Sequence, residues 1–411
     1  MPAEPRHFDA IVLGAGAAGL ICAATAGRRG RRVALLEHNG QPGRKILISG
    51  GGRCNFTNLH CEPRNFLSAN PHFAKSALAL YSPQHFIELV DKYGIAWHEK
   101  TQGQLFCDGS ARAILDLLLA ECELGGVEVV LNAHGIKVER TASGGFQVIS
   151  SVGEFSTDAV VVATGGLSIP KLGATGLGYD LARHFGLKVI EPRPALVPLL
   201  LGGDEAGWTK LAGVSAEVVA WAEQADSKSK EKLQLRRESR PVRFREKMLV
   251  THRGVSGPAV LQASSYWRPG AALVLDFGLN AHAGILESLL NPGARRDLTA
   301  VRQALREVLP QRMADYLAEA GAPRGWSNAA LEECERRLRC WELHPVGTEG
   351  FEKAEVTAGG VDTEELKART MEARQVSGLF FIGEVVDVTG QLGGFNFQWA
   401  WSSGVAAGRA L

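Results

Sequence analysis

Apolar positions along this chain recur with two periods, and the first thirty residues show both. In "FDAIVLGAGAAGLICAATAGRRGRRVALLE" (8–37), the run 10–13 predicts a buried strand, the alanine-rich stretch a helix, and "RRVALLE" a second strand ending at Glu37. Residues 76–93 and 110–124 space their apolar side chains as helices do. "GVEVVL" (126–131), "GFQVISS" (145–151) and "DAVVVATGG" (158–166) predict strands, the last of them buried and parallel. "GLFFIGEVVD" (378–387) predicts another, followed by a glycine-rich turn and a terminal helix. Between about 193 and 353 the composition changes. "VPLLL", "AEVVAWA", "VRFREKMLVTH" and "AALVLDFGL" predict β structure, and 283–342 predicts helices, with Leu298, Val301, Leu305 and Val308 on one face. The pattern is a doubly wound α/β domain interrupted by a β-rich and a helical stretch.

The first turn carries chemistry. Gly14, Gly16 and Gly19, with Ala15, Ala17 and Ala18 between them, form GxGxxG where the strand meets the helix. Gly14 permits the tight turn, Gly16 lets backbone approach a pyrophosphate, and Gly19 lets the helix pack on the strand. The helix N-terminus offers free N–H groups and a positive dipole end to phosphates. Glu37, 18 positions after Gly19, stands near the spacing of a group that grips a ribose hydroxyl. A glycine-rich turn alone explains neither the spacing nor the acid. The motif therefore predicts dinucleotide binding.

Composition narrows the class. A net charge of +1 gives no global field for nucleic acid. The seven cysteines show no CxxC pair and no zinc spacing, which fits reduced thiols in the cytoplasm. Residues 10–26 look like a signal-peptide core, but their glycines fall in the binding pattern, and Glu4 and Asp9 spoil a basic leader. No apolar run is long enough to span a bilayer, so no membrane partner is expected.

Five stretches resemble a known group: "VLGAGAAGL", "GRKILISGGGRCNFTN", "VVVATGG", "MLVTHRGVSGPAVLQ" and "VTAGGVDTEEL" through "GLFFIGEVVDVTGQLGGFNFQWAWSSG". Together they make the chain similar to the bacterial FAD-dependent flavoproteins of the aminoacetone-oxidase-like (BaiN-like) family. Phe395 departs from the tyrosine expected in many relatives. The resemblance implies a Rossmann-type FAD-binding domain, glutathione-reductase-like and split by an inserted β-rich plus helical region. Its first part would span 1–192, the β-rich substrate domain 193–282, the helical insert 283–353 and the C-terminal part 354–411.

On that resemblance, Glu37, with His38 beside it, and the glycine turn would hold the adenosine half of FAD. Arg44, Lys45, Ser49, Gly50, Gly51, Gly52, Arg53, Cys54 and Asn55 would run beside the pyrophosphate, ribityl chain and flavin ring. Glycines at 50–52 let backbone pass under a flat ring. Gly135 would pass the adenine. Thr164, Gly165 and Gly166 end a strand where open α/β sheets place ligands. Gly383, Glu384 and Asp387 would meet the ribityl and phosphate region, and Gly394, Phe395 and Asn396 would open the terminal helix toward the flavin pyrimidine. Cys54 has no resolving cysteine two to four positions away; the next is Cys61, which favours a packed thiol over a redox pair. His252, in "THRGVSGP", is the candidate acid or base.

The segment 228–247 holds nine Lys/Arg and three Glu, a net of +6 (9 − 3). Its alternation reads as an exposed loop and the outer face of a strand, and nucleic acid is disfavoured as a partner. The expected activity is an FAD-dependent oxidoreductase passing a hydride between flavin and a small organic substrate that enters between the insert and the flavin. The second partner would be dioxygen or NAD(P)H docking transiently, because 166–378 holds no second strand–GxGxxG–helix unit. The competing class is an FAD-containing RNA- or protein-binding factor. Substrate identity and oligomeric state stay open.

Overall fold

The computed structural model describes residues 6–223, 241–280 and 284–411. They divide into two compact units, Met1–Arg193 with Val356–Leu411 and Pro194–Glu355. The β-rich and helical stretches of the insertion fall in one unit with one shared apolar core.

In the first unit, β1 (Arg6–Leu13) leads through the glycine turn into α1 (Ala17–Gly27), and β2 (Val33–Leu36) follows. The strand Glu128–Val130 pairs in parallel with β2, and β2 with β1. β3 (Gly153–Val162) pairs in parallel with β1 and, through its C-terminal half, with β4 (Leu379–Phe381). The N-terminal half of β3 pairs antiparallel with Phe146–Ser150, which carries Lys137–Arg140 on its other side. β2 and β4 are buried along their length, and β1 and β3 through their last four residues, as a sheet covered on both faces requires. A terminal helix, α2 (Phe395–Ala410), lies against α1 at very close range. A Cβ on Gly404 would meet the Ala18 carbonyl oxygen at 2.7 Å, and one on Gly408 the Cys22 carbonyl oxygen at 2.7 Å. A three-stranded sheet stands apart, in the order Asn55–Asn58, Gln104–Cys107, Trp97–Glu99.

Two predicted elements differ. The helical period over 76–93 belongs to two helices, Ala74–Leu80 and Pro83–Lys92. Ser82 and His85 form a capping box there, and Pro83 starts the new helix because its missing N–H is not needed in a first turn. The strand expected over 378–387 stops at Phe381, because Gly383 turns the backbone left-handed at φ +71°.

The second unit is built on a seven-stranded sheet. Ser215–Ala222 pairs antiparallel with Phe244–Val250 and with Leu273–Asp276, and helices Leu298–Val308, Gln311–Ala320 and Asn328–Arg339 join its core. Val301 and Leu305 are buried, with Leu298 and Val308 partly buried beside them. Of the basic segment, 228–240 lies outside the described residues. In Phe244–Val250, Arg245 and Lys247 are exposed while Phe244 and Met248 are buried.

Candidate functional site

Register explains why residues far apart in sequence share one edge. Leu13 pairs with both Leu36 and Val162, and Val162 pairs with Phe381. The four strands therefore end level. The residues after them, Gly14, Glu37, Thr164 and Gly383, emerge at one carboxyl edge, where open α/β sheets bind ligands.

The three turn glycines differ in what surrounds them. Gly14 has φ +105°, and a Cβ there would sit 2.6 Å from the Ala163 carbonyl oxygen. A Cβ on Gly19 would come within 1.9 Å of the Gly14 carbonyl oxygen. Gly16 is different: its φ is an ordinary −83°, and a Cβ would meet no protein atom within 4 Å. Two glycines serve packing and the middle one borders open space. Ala17 and Ala18 lie in the first turn of α1, whose N–H groups have no intrahelical acceptor.

Glu37 is 6% exposed and its carboxylate is fixed. Ala15 N–H donates to Oε2 at 2.8 Å, and Asn39 donates to Oε1 from its backbone at 2.9 Å and its amide at 2.8 Å. His38 Nδ1 lies 3.2 Å from the same oxygen. The segment containing Gly135 runs alongside, since Ala133 N–H donates to the Glu37 carbonyl at 2.9 Å; Gly135 itself is exposed at φ +63°. The guanidinium of Arg44 is engaged within the protein, donating to Asn39 Oδ1 at 2.8 Å and to the Leu172 carbonyl at 3.2 Å.

Lys45 also has protein partners. Its Nζ lies 2.7 Å from Glu384 Oε2 and 2.7 Å from Ser168 Oγ. Glu384 Oε1 accepts from Ser168 Oγ at 3.0 Å and from Thr357 N–H at 2.9 Å. Thr357 Oγ1 accepts in turn from Leu167 N–H at 2.8 Å. Gly166 is glycine because a Cβ there would lie 2.4 Å from Thr357 Oγ1 and 2.6 Å from Glu384 Oε1. Ser168 and Thr357 escape a sequence reading, since a serine and a threonine 189 positions apart (357 − 168) signal nothing without the fold.

The loop after Lys45 has the conformation its glycines allow. Ser49 Oγ donates to the Ile46 carbonyl at 2.7 Å, and Gly50, Gly51 and Gly52 follow at φ +57°, +67° and +85°. Gly51 and Gly52 border open space, as does Gly165, while Gly50 is closed by the Phe106 ring. Arg53 is exposed. Cys54 is fully buried, and burial pushes its thiol up to about 12. A thiol so placed is no thiolate nucleophile near neutral pH.

This loop and the terminal helix are sewn together. With the Asn55 amide turned to donate to the Leu105 and Thr57 carbonyls, its oxygen accepts Gly394 N–H at 3.3 Å. Asn58 Nδ2 donates to the Gly393 carbonyl at 2.9 Å, Thr57 Oγ1 to Gln398 at 2.6 Å, and Trp401 Nε1 to the Phe56 carbonyl at 2.8 Å. Gly394, at φ +93°, precedes α2, and a Cβ there would strike the Thr57 carbonyl oxygen at 2.4 Å. Phe395 is buried against Phe66, and the Asn396 amide folds back on Gly390. Gly383 is anchored to the same helix through Ser403 and Trp399. Asp387 is 6% exposed and accepts Ala69 N–H at 2.9 Å; burial raises its pKa above the usual carboxylate value. His252 lies in the second unit, on an exposed turn between Phe244–Val250 and Gly254–Ser256.

These residues fit FAD. A Cβ on Gly16 or Gly165 at the edge, or on Gly51 or Gly52 in the loop, would meet no protein atom within 4 Å. Glu37 supplies an acceptor beside the helix N-terminus. Two buried polar atoms at this edge, His38 Nε2 and Thr164 Oγ1, have no hydrogen-bond partner in the protein, and buried polar atoms are normally paired. Among the described residues no helix is long and apolar enough to cross a membrane.

The sequence relationships agree with this geometry. A protein of Escherichia coli named ribosomal RNA dihydrouridine synthase is 47% identical over 413 residues, 99% of this chain and 98% of that one. A Haemophilus influenzae protein of the same name is 41% identical, covering 99% of both chains. The 3-dehydro-bile acid delta(4,6)-reductase of Clostridium scindens is 30% identical, covering 97% of this chain and 98% of the other. The model of the HI0933-like protein Rossmann domain matches residues 8–410, and with a carboxyl edge built for FAD the chain belongs to that family of flavoenzyme-type oxidoreductases.

Proposed function

We propose that this chain reduces a uridine of ribosomal RNA to dihydrouridine, with FAD as hydride carrier and NAD(P)H as electron donor. The observation that carries the proposal is the 47% identity, end to end, with a protein bearing that name. The more distant 30% relative bears a reductase name as well. Uridine and an unsaturated 3-oxo steroid share one reactive feature, a carbon–carbon double bond conjugated to a carbonyl. Hydride adds to the far carbon of such a system and a proton to the near one.

FAD, when bound, supplies two-electron hydride chemistry. The protein's part is binding and polarity. Glu37 offers its carboxylate to a ribose hydroxyl, and the first-turn N–H groups of α1 and the open face of Gly16 receive phosphate. The N–H groups that open α2 after Gly394 favour negative charge placed before them. Since the sequence 166–378 holds no second strand–GxGxxG–helix unit, NAD(P)H is proposed to dock transiently. RNA takes the place of the small organic substrate expected from the resemblance, and the net charge near zero that disfavoured nucleic acid describes the whole chain and not one face.

The test has two arms. Ribosomal RNA from cells with and without the gene is digested to nucleosides and its dihydrouridine measured by mass spectrometry. Purified protein with FAD and NAD(P)H is then given unmodified ribosomal RNA. Loss of dihydrouridine on deletion and its formation in vitro are expected; unchanged content with no formation refutes the proposal. Turnover of an unsaturated ketone without any action on RNA would favour the small-molecule reading that the bile-acid relative suggests.

A further inference from the structure

Reduction of a conjugated double bond requires a proton as well as a hydride, and some group beside the flavin must supply it. The three-stranded sheet holds a candidate. Across it Asn55 pairs with Phe106 and Phe106 with His98, so the three side chains form one row on one face. Asn55 holds the Gly394 N–H that opens the terminal helix. The Phe106 ring lies 2.8 Å from where a Gly50 Cβ would be, so it packs directly on the flavin loop. His98 stacks on that ring, with centroids 6.2 Å apart and planes 18° apart. Neighbouring strands are about 4.8 Å apart, which puts His98 about 10 Å along the row from Asn55.

His98 is not a solitary histidine. Its Nδ1 lies 2.6 Å from Asp108 Oδ1. A carboxylate only accepts, so Nδ1 carries the proton, and Nε2 is left without a partner among the described residues. Lys100 Nζ sits 5.3 Å over the same Phe106 ring, and Asp108 is the carboxylate at this imidazole. The side chains of His98 and Asp108 are 42% and 50% exposed, open to solvent and to a large substrate. A surface ion pair of this kind contributes little stability. An imidazole oriented by a carboxylate beside a cofactor loop is, by contrast, the arrangement of a proton donor.

We infer that His98, oriented by Asp108, is the acid that protonates C5 of the uridine as hydride reaches C6, an inference resting on the function proposed above. The acid is the imidazolium, protonated on both nitrogens: its Nε2–H bond breaks as the C5–H bond forms, the Nδ1–H stays on Asp108, and solvent returns the proton to Nε2. Two electrons and one hydrogen come from NAD(P)H, so one uridine, one NAD(P)H and one proton give one dihydrouridine and one NAD(P)⁺. Asp108 is a positioning residue.

The test separates the half-reactions. His98→Gln is expected to keep FAD content and the rate of flavin bleaching by NAD(P)H within about twofold. Its dihydrouridine formation should fall by about 10²-fold or more, the usual scale of general acid catalysis. In ¹⁵N-histidine NMR spectra of the protein without FAD or RNA, His98 should be Nδ1-protonated in the wild type and mixed between tautomers in Asp108→Asn. Product formation in His98→Gln within threefold of wild type overturns the inference. Should His98→Gln lose FAD, Asp108→Asn decides, and an unchanged tautomer with unchanged product formation also overturns it. A wild type that makes no dihydrouridine overturns the proposed function and this role with it, whereas a wild type and His98→Gln that make it equally overturn the role alone.

Discussion

At the scale of single residues, the glycines of the first turn separate binding from folding. Gly16 has backbone angles that any residue adopts and borders open space. Gly16→Val should therefore abolish FAD binding and change the stability of the FAD-free protein by about 1 kcal/mol or less. Gly19→Val drives a side chain into the Gly14 carbonyl and should destabilise the FAD-free protein itself by about 3 kcal/mol or more. FAD content by absorbance and chemical unfolding of both apoproteins check the pair. The motif gives the three glycines separate parts, and their surroundings differ as well: Gly14 and Gly19 are closed in by backbone, while Gly16 borders open space. Cys54 gives a pH prediction. Burial raises its thiol from the usual 9.0 to about 12, so above pH 9 the unfolded chain releases a proton that the folded chain keeps. Stability should be flat below pH 9 on this account and fall toward pH 12, by up to about 1.4 kcal/mol per pH unit for this thiol. Cys54→Ala should remove that share of the alkaline slope in urea titrations and retain FAD. An unchanged slope would contradict the assignment.

At the scale of elements, the terminal helix is the member on which the site depends. Gly404 and Gly408 let it approach α1 until backbone meets backbone. Its N-terminus is tied to the Asn55–Asn58 strand by side chains from both partners. Gly404→Leu should wedge the helix from α1 and lower thermal stability and FAD content together, whereas Gly16→Val lowers FAD content alone. Circular dichroism melting of both variants, with and without added FAD, distinguishes the two. Periodicity located this helix and most of the strands, because buried stripes and runs are written locally. It missed the break at Pro83 and the early end of β4, where one proline and one left-handed glycine override an apolar pattern.

At the scale of the molecule, the insertion leaves the first unit after Arg193 and returns at Val356. Its two ends meet, since Glu355 N–H donates to the Leu196 carbonyl at 3.2 Å, and each unit has its own apolar core. A chain in which a short Gly/Ser linker replaces 194–355 should fold and bind FAD in equimolar amount. The excised 194–355 should unfold cooperatively by itself. An aggregated or colourless first unit would show that the insertion is needed for folding.

The sequence by itself determined the nucleotide edge. The glycine turn, Glu37 and the buried strand endings are local patterns whose spacing follows from how backbone approaches a phosphate and how strands end in a parallel sheet. The insertion was legible as a change of composition. What it could not contain is any relation that depends on register. Lys45 meets both Glu384 and Ser168, Asn55 reaches Gly394, and His98 joins the Gly50–Gly52 loop through Phe106. Each partnership spans a separation that carries no periodic signal. Only the level ends of four parallel strands and the pairing of three short ones bring these groups together, because contact between distant residues is set by the folded chain's geometry and not by their neighbours in sequence.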